Sequence, residues 1–188
     1  MTDNAPAKNA RDTSSIRFDS RIRKIGPSTI VTLPQEASAK LPSRGQVAVT
    51  GLINGNPFRT VLEPDGRRGH WLKFNKSLQR SLGASQGASV AVELEPTKDW
   101  PEPDIPTDFR NALAGAPELS GLWQEITPMA RWEWVRWINA TKNPGTRQRR
   151  IEVGVSKLRS GKRRPCCFDL AACTDPELSK NGKLVDTE

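Results

Sequence analysis

Histidine is nearly absent from this chain. Only His70 occurs in 188 residues, so any mechanism pairing serine or cysteine with an imidazole would have to use that one ring. It falls on a predicted strand beside Trp71, where a lone histidine is more often a surface or partly packed residue than a functional one. Cysteine is scarce too. The three thiols, Cys166, Cys167 and Cys173, make an odd count that fits a reducing compartment better than a disulfide framework. Two adjacent cysteines rarely both reach one tetrahedral ion, so redox-sensitive thiols are expected and a metal is not. No run approaches the roughly 20 apolar residues of a membrane helix, and the start MTDNAPAKNARDTSS lacks the apolar stretch of a secretory signal. A cytoplasmic protein without a membrane partner is expected. Glycine-rich phosphate loops are missing as well, because Gly51, Gly55 and the Gly66 to Gly69 region have neither the strand-to-helix context nor the lysine. With no catalytic constellation and no cofactor motif, the chain reads as a non-enzyme.

Basic charge, by contrast, is abundant and concentrated. Between Lys142 and Arg164 stand Lys142, Arg147, Arg149, Arg150, Lys157, Arg159, Lys162, Arg163 and Arg164 against one acid, Glu152. That segment carries the whole formal excess of +8, since the chain's 29 basic and 21 acidic residues leave 20 of each elsewhere. Such a concentration can present a local anion-facing field or simply a solvated helix face.

Residues 1–14 are polar and aperiodic and read as a disordered tail. Six β-like runs follow within 15–95: Ile16 to Arg23, Thr29 to Leu33, Gln46 to Ile53, Phe58 to Glu63, Gly69 to Phe74 and Ala88 to Glu95. Asn54-Gly55 and Asp65-Gly66 separate runs and tolerate the positive φ of hairpin turns, so two successive hairpins are predicted. Short helices are expected near Gln35 to Leu41 and Lys76 to Leu82, the second closed by Gly83. Residues 96–106 hold four prolines in PTKDWPEPDIP and form a stiff connector. Beyond it, 107–164 reads helical, in segments Thr107 to Ala114, Pro117 to Ile126, Pro128 to Lys142 and Arg147 to Ser160. Thr127 precedes Pro128 as an N-cap, Thr146 is placed to cap the last helix, and Gly161 ends it. Residues 165–188 form a cysteine-containing tail that reads as mobile from Thr174 onward.

At 100° per residue Ala130, Trp134, Trp137, Ile138 and Thr141 share one face of the third helical segment. Trp132 points the other way, either exposed with Arg136 stacked over it or packed under the connector or the preceding helix. In the fourth segment Ile151, Gly154, Val155 and Leu158 form a stripe. Arg147 shares its azimuth and turns inward, toward either a structural carboxylate or a ligand.

The run Thr127 to Lys142, followed by Thr146-Arg147-Gln148-Arg149-Arg150-Ile151 and Leu158-Arg159-Ser160-Gly161-Lys162, resembles the helical module of the YdeI/OmpD-associated bacteriocin-protection family. Gly45 to Glu95, with Gly51-Leu52-Ile53-Asn54-Gly55-Asn56-Pro57-Phe58, is similar to the small barrel domain of unknown function that often precedes it. The sequence departs from the helical pattern at Thr141, where alanine is usual, at Gly145, where glutamate is usual, and at Trp132, where a polar residue is commoner. The resemblance implies an α+β protein: an N-terminal six-stranded double-split β-barrel capped by short helices, related distantly to AbrB-like barrels, then a C-terminal helical module. Its name records a protection phenotype rather than a reaction.

Two binding roles are compatible with these residues. In the first, the seam between barrel and helices holds a small molecule or peptide, with Trp134, Trp137, Arg147 and His70 as the candidate contacts. In the alternative, Arg149, Arg150, Lys157, Arg159, Lys162, Arg163 and Arg164 contact the phosphates of a nucleic acid with little sequence preference. An exposed barrel edge or Trp132 would allow a homodimer as readily as a monomer.

Overall fold

The computed structural model describes residues 15–83, 85–166 and 169–186, so the expected disordered tail at 1–14 lies outside the described residues. Seven strands form one sheet in the order β1-β7-β4-β5-β6-β3-β2. They are β1 (Ile16–Arg21), β2 (Arg23–Ile25), β3 (Ser28–Thr32), β4 (Val47–Ile53), β5 (Asn56–Pro64), β6 (His70–Lys73) and β7 (Ser89–Pro96). The difference from six strands lies at Ile22, where the first β-like run breaks in two. β1 pairs with β7 and β2 with β3, so the two ends of the sheet are consecutive stretches of one chain segment and the sheet nearly closes into a barrel. Ile22 itself is buried, and its N–H donates to the Ala88 carbonyl at 2.9 Å. The inside is filled by the alternating apolar positions, among them Val47 and Val49 on β4 and Val90, Val92 and Leu94 on β7.

Both predicted hairpins form. Asn54 and Gly55 have φ of 47° and 78°, which supplies the twist of a tight β4–β5 turn. β5 and β6 are joined through Asp65–Gly69, where the Asp65 carboxylate accepts from the N–H groups of Arg67 and Gly69. Helix α1 (Gln35–Ala39) and helix α2 (Lys76–Leu82) lie where the turn chemistry placed them. α2 is capped by Asn75 and ends on Gly83 in the left-handed region, and Leu78 with Leu82 plugs one end of the barrel.

The helical half contains α3 (Thr107–Ala114), a 3-10 turn (Pro117–Leu119), α4 (Ser120–Glu125), α5 (Pro128–Asn139) and α6 (Pro144–Arg159). Thr127 caps α5 as its sequence predicts. The last helix starts three residues before the expected Arg147, because Asn143 rather than Thr146 is the cap. The Asn143 side chain accepts from Thr146 N–H at 2.9 Å, and Pro144 takes the first helical position. Ile151, Gly154, Val155 and Leu158 are all buried against Ala130, Trp134 and Ile138 of α5, and Phe109 and Leu119 complete that core.

The segment expected to be mobile from Thr174 is folded as far as Asp186. It folds into the hairpin β8 (Ser179–Lys180) and β9 (Lys183–Leu184), with Cys173, Leu178 and Leu184 buried against Ile25, Ile30 and Trp71 on the outside of the barrel. Three apolar side chains spaced among polar ones give a weak periodic signal. Burying them on an outward-facing Trp71 is a tertiary event invisible to local pattern. Val185 N–H donates to the Leu178 carbonyl and Leu184 N–H to that of Asp65, which ties the hairpin to the β5–β6 loop.

Candidate functional site

β5 and β6 begin as a ladder and then part. Strand pairing runs through Pro64↔His70 and Glu63↔Trp71 and goes no further. The chain leaving β6 must turn at Asn75 into α2, whose Leu78 is anchored in the barrel core, and this draws Lys73 and Phe74 away from β5. Into the opening come α5 from the helical half and Thr174 to Pro176 from the C-terminal segment. The result is a cleft of about 510 Å³ at the seam of barrel and helices. Its aromatic walls are Trp71 and Trp132, with Phe74 also in the lining while packed in the barrel core, and its charged groups are Glu63, Lys73, Asp104, Arg136 and Asp175.

The aromatic walls are held in place. Trp71 is buried and donates its indole N–H to the Pro64 carbonyl at 3.1 Å. Trp132 donates to the Pro101 carbonyl at 2.6 Å, which selects the packed alternative for this residue. The neighbouring Arg131 spans the same connector. One guanidinium nitrogen reaches the Trp123 and Ile126 carbonyls at the end of α4, and the other reaches Glu102 at 2.6 Å. Two successive residues of α5 therefore fasten the proline-rich connector, and one of them forms a wall of the cleft.

Arg136 is the polar centre of the seam. It is 6% exposed and donates to Thr174 Oγ1 at 3.0 Å and to the carbonyls of Leu170 and Ala172, while Glu63 Oε2 lies 3.4 Å from its Nε. One guanidinium on α5 thus holds the C-terminal segment and faces a carboxylate on the barrel. Burial pushes the Glu63 carboxyl above its ordinary range, opposed by Arg136 and by the hydrogen bond from Gln46. Lys73 and Asp175 pair across the cleft at 3.2 Å. Asp104 is fully exposed at the mouth, with Arg110 3.7 Å away. Glu63, Lys73 and Asp175 carry no motif in the sequence and meet only through tertiary packing. Arg136 did carry a signal, a basic residue on the face of α5 opposite the apolar stripe.

The residues singled out by sequence lie elsewhere. Trp134 is completely buried in the helical core and donates to the Arg163 carbonyl at 3.1 Å. Trp137 meets it edge-on at 6.0 Å, and the Arg150 guanidinium and Lys157 ammonium each lie 5.7 Å from the Trp137 ring centre. Arg147 makes a two-pronged pair with Asp108 at 2.6 and 2.9 Å and a third bond to Asn139 Oδ1 at 2.9 Å, the structural alternative for that side chain. The Arg147 pair holds the Asp108 carboxyl below its usual range. None of these three lines the cleft.

His70 precedes Trp71 on β6 but turns to the opposite side of the strand, where Nε2 donates to the Gly45 carbonyl at 3.0 Å. Its Nδ1 is buried without a hydrogen-bond partner. Burial lowers its pKa, outweighing the Gly45 bond. A histidine kept neutral in the folded state but free to charge in the unfolded chain costs stability as pH falls below the unfolded value near 6.5. Urea unfolding at pH 7.5 and 5.5 is expected to show a loss of about 1 kcal/mol that the His70→Gln variant lacks. Glu63, with its raised pKa, contributes with the opposite sign in both proteins, so the difference between them isolates the imidazole. An equal loss in both would remove His70 as the cause.

The basic segment is largely paired. Lys142 meets Glu177, Arg147 meets Asp108, Arg159 meets Glu118, Arg163 meets Glu125, and Arg164 grips the buried Glu133 with both nitrogens. These five acids come from outside the segment and reduce its excess from eight to three. Arg150 is spent on the Trp137 carbonyl and Lys157 on Cys166 Sγ. Among the described residues Arg149 and Lys162 alone of the cluster make no such contact. Cys173 is buried, with its thiol pushed up to about 11 by desolvation, so it stays protonated at neutral pH. Cys167 lies outside the described residues. These residues contain no group of three or more His, Cys, Asp or Glu able to hold a metal ion, and no helix among them is long and apolar enough to cross a membrane.

Comparison with known families divides the chain at the same connector. Residues 18–94 match the model described as a domain of unknown function (DUF1905). Residues 102–161 match the one described as Bacteriocin-protection, YdeI or OmpD-Associated. No curated protein matches the chain. A nearly closed barrel that matches the first is thus joined, by a fastened proline-rich connector, to helices that match the second.

Proposed function

We propose that the chain is a non-enzymatic cytoplasmic binding protein that holds a small molecule or short peptide in the cleft between barrel and helices, and that its protective role is sequestration. The observation that carries this reading is the cleft itself. Two aromatic side chains, Trp71 and Trp132, both fixed by indole hydrogen bonds, wall a space of about 510 Å³ that also presents paired charges of both signs. The family description supports protection rather than turnover. The parting of β5 from β6 is read here as one of the splits of a double-split barrel of the AbrB-like kind. The nucleic-acid alternative is less well supported, because most of the cluster's cations already have partners inside the protein.

Thermal unfolding and tryptophan fluorescence, run against peptides, heterocycles and antibiotics, test the reading. A ligand at about a hundred times its Kd contributes about 2.7 kcal/mol, a clear rise in Tm. Thr60→Trp, which fills the cleft from β5, is expected to abolish the response while leaving the unliganded Tm little changed. A response that survives in this variant, or binding to duplex DNA that falls steeply with salt and is lost with Arg149→Ala and Lys162→Ala, would overturn it.

A further inference from the structure

The register of the strands shows what the cleft lacks. Phe74 N–H donates to Thr29 and Leu33 N–H to His70, so residues 70, 72 and 74 turn their backbone groups toward β3, and 71 and 73 turn theirs toward β5. On the facing side, the Ala48 carbonyl accepts from Thr97 N–H, on the β7 side of its strand. Its partner Val61 therefore turns away from β4 and toward β6. The next hydrogen-bonded rung after Glu63↔Trp71 would join Val61 to Lys73, and those two are not paired. Both instead line the cleft. Its rims are two strand edges with outward-facing backbone groups, beside an aromatic pocket.

Resting on the binding role assigned to this cleft, we infer that its occupant is an extended peptide segment bearing a lysine or arginine, which adds as a short strand to the open rim. The backbone groups of Lys73, on the β6 rim, supply the strand-like contacts, and Trp71 and Trp132 receive one side chain. The charge follows from the balance of the walls. Arg136 faces Glu63 and Lys73 faces Asp175, so among the ionic groups lining the cleft both cations have carboxylates opposite them. Asp104 is the surplus carboxylate, fully exposed at the mouth and only loosely approached by Arg110 at 3.7 Å. A cationic side chain leaving the cleft there finds a carboxylate, whereas an acidic one meets repulsion. A rigid small molecule gains nothing from the unmade rung, while an extended chain repeats the hydrogen-bonding period that the rung interrupts.

The experiment pans a phage-displayed library of random dodecapeptides against the full chain, then resynthesises the selected peptides with backbone N-methylation at alternate positions. The inference expects selected sequences rich in lysine or arginine. Their affinity should fall at least about tenfold when one parity is methylated and little when the other is, since a strand uses every second N–H on each side. Hydrogen exchange should be fast at the Lys73 amide and slow at Trp71 in the free protein, with Lys73 slowing when peptide binds. Asp104→Asn should weaken the peptides several-fold without moving the unliganded Tm. Equal sensitivity to both methylation parities, or no peptide whose binding Thr60→Trp abolishes, would overturn the inference. In the second case, a small molecule that still binds the wild type and fails on Thr60→Trp would leave the cleft's binding role intact.

Discussion

Arg136→Met should lower the unfolding free energy by about 3–5 kcal/mol, because it removes one partner of a buried ionic contact and leaves the other behind. Methionine retains much of the volume, so the loss is electrical and hydrogen-bonded rather than a cavity. Glu63 would keep its place on the seam, with 21% of its side chain exposed and only Gln46 to donate to it. Its carboxyl, already raised by burial, would rise further. The carbonyls of Leu170 and Ala172 and the hydroxyl of Thr174 would lose their donor at the same stroke. Urea unfolding measures the stability, and hydrogen exchange across 169–186 reports whether the C-terminal hairpin loosens with it. The double variant Arg136→Met with Glu63→Gln should recover part of the loss, since neither charge is then stranded. A single variant within about 1 kcal/mol of wild type, with exchange in 169–186 unchanged, would show that the seam does not depend on this guanidinium.

Trp134→Ala should cost a similar amount for a different reason. The ring is wholly buried among Ala130, Ile138, Ile151 and Val155, stands edge-on to Trp137 and lies where a Cβ at Gly154 would only just meet it. Removing it leaves a cavity in the centre of the α5–α6 pair and strips the Arg163 carbonyl of its donor, for about 3–5 kcal/mol and a Tm lowered by roughly 10 °C. The barrel has its own core, so circular dichroism of the variant should show helix lost before strand. Simultaneous loss of both on heating would mean that the seam couples the two halves into one cooperative unit.

Much of this architecture can be read from particular residues. Asn54-Gly55, Gly83, Thr127-Pro128 and the four prolines of the connector act locally, through φ preferences and caps, and each does in the fold what its chemistry demands. The stripe of Ile151, Gly154, Val155 and Leu158 was legible for the same reason. The cleft was not. It exists because β5 and β6 separate, and that separation is set by where α2 must go. It is closed by Arg136 reaching carbonyls some 35 residues away in sequence. The basic segment misled in the opposite direction. Charge counted along the chain took no notice of Asp108, Glu118, Glu125, Glu133 and Glu177, which the fold brings against it.

Thr174, Asp175 and Pro176 form one bank of the cleft, and the hairpin behind them is nailed to Trp71 from outside. On a translating ribosome, the barrel and the helices can therefore be finished while the cleft still has a side missing. That bank is in place only when residues 174–176, which follow both in sequence, have emerged and docked.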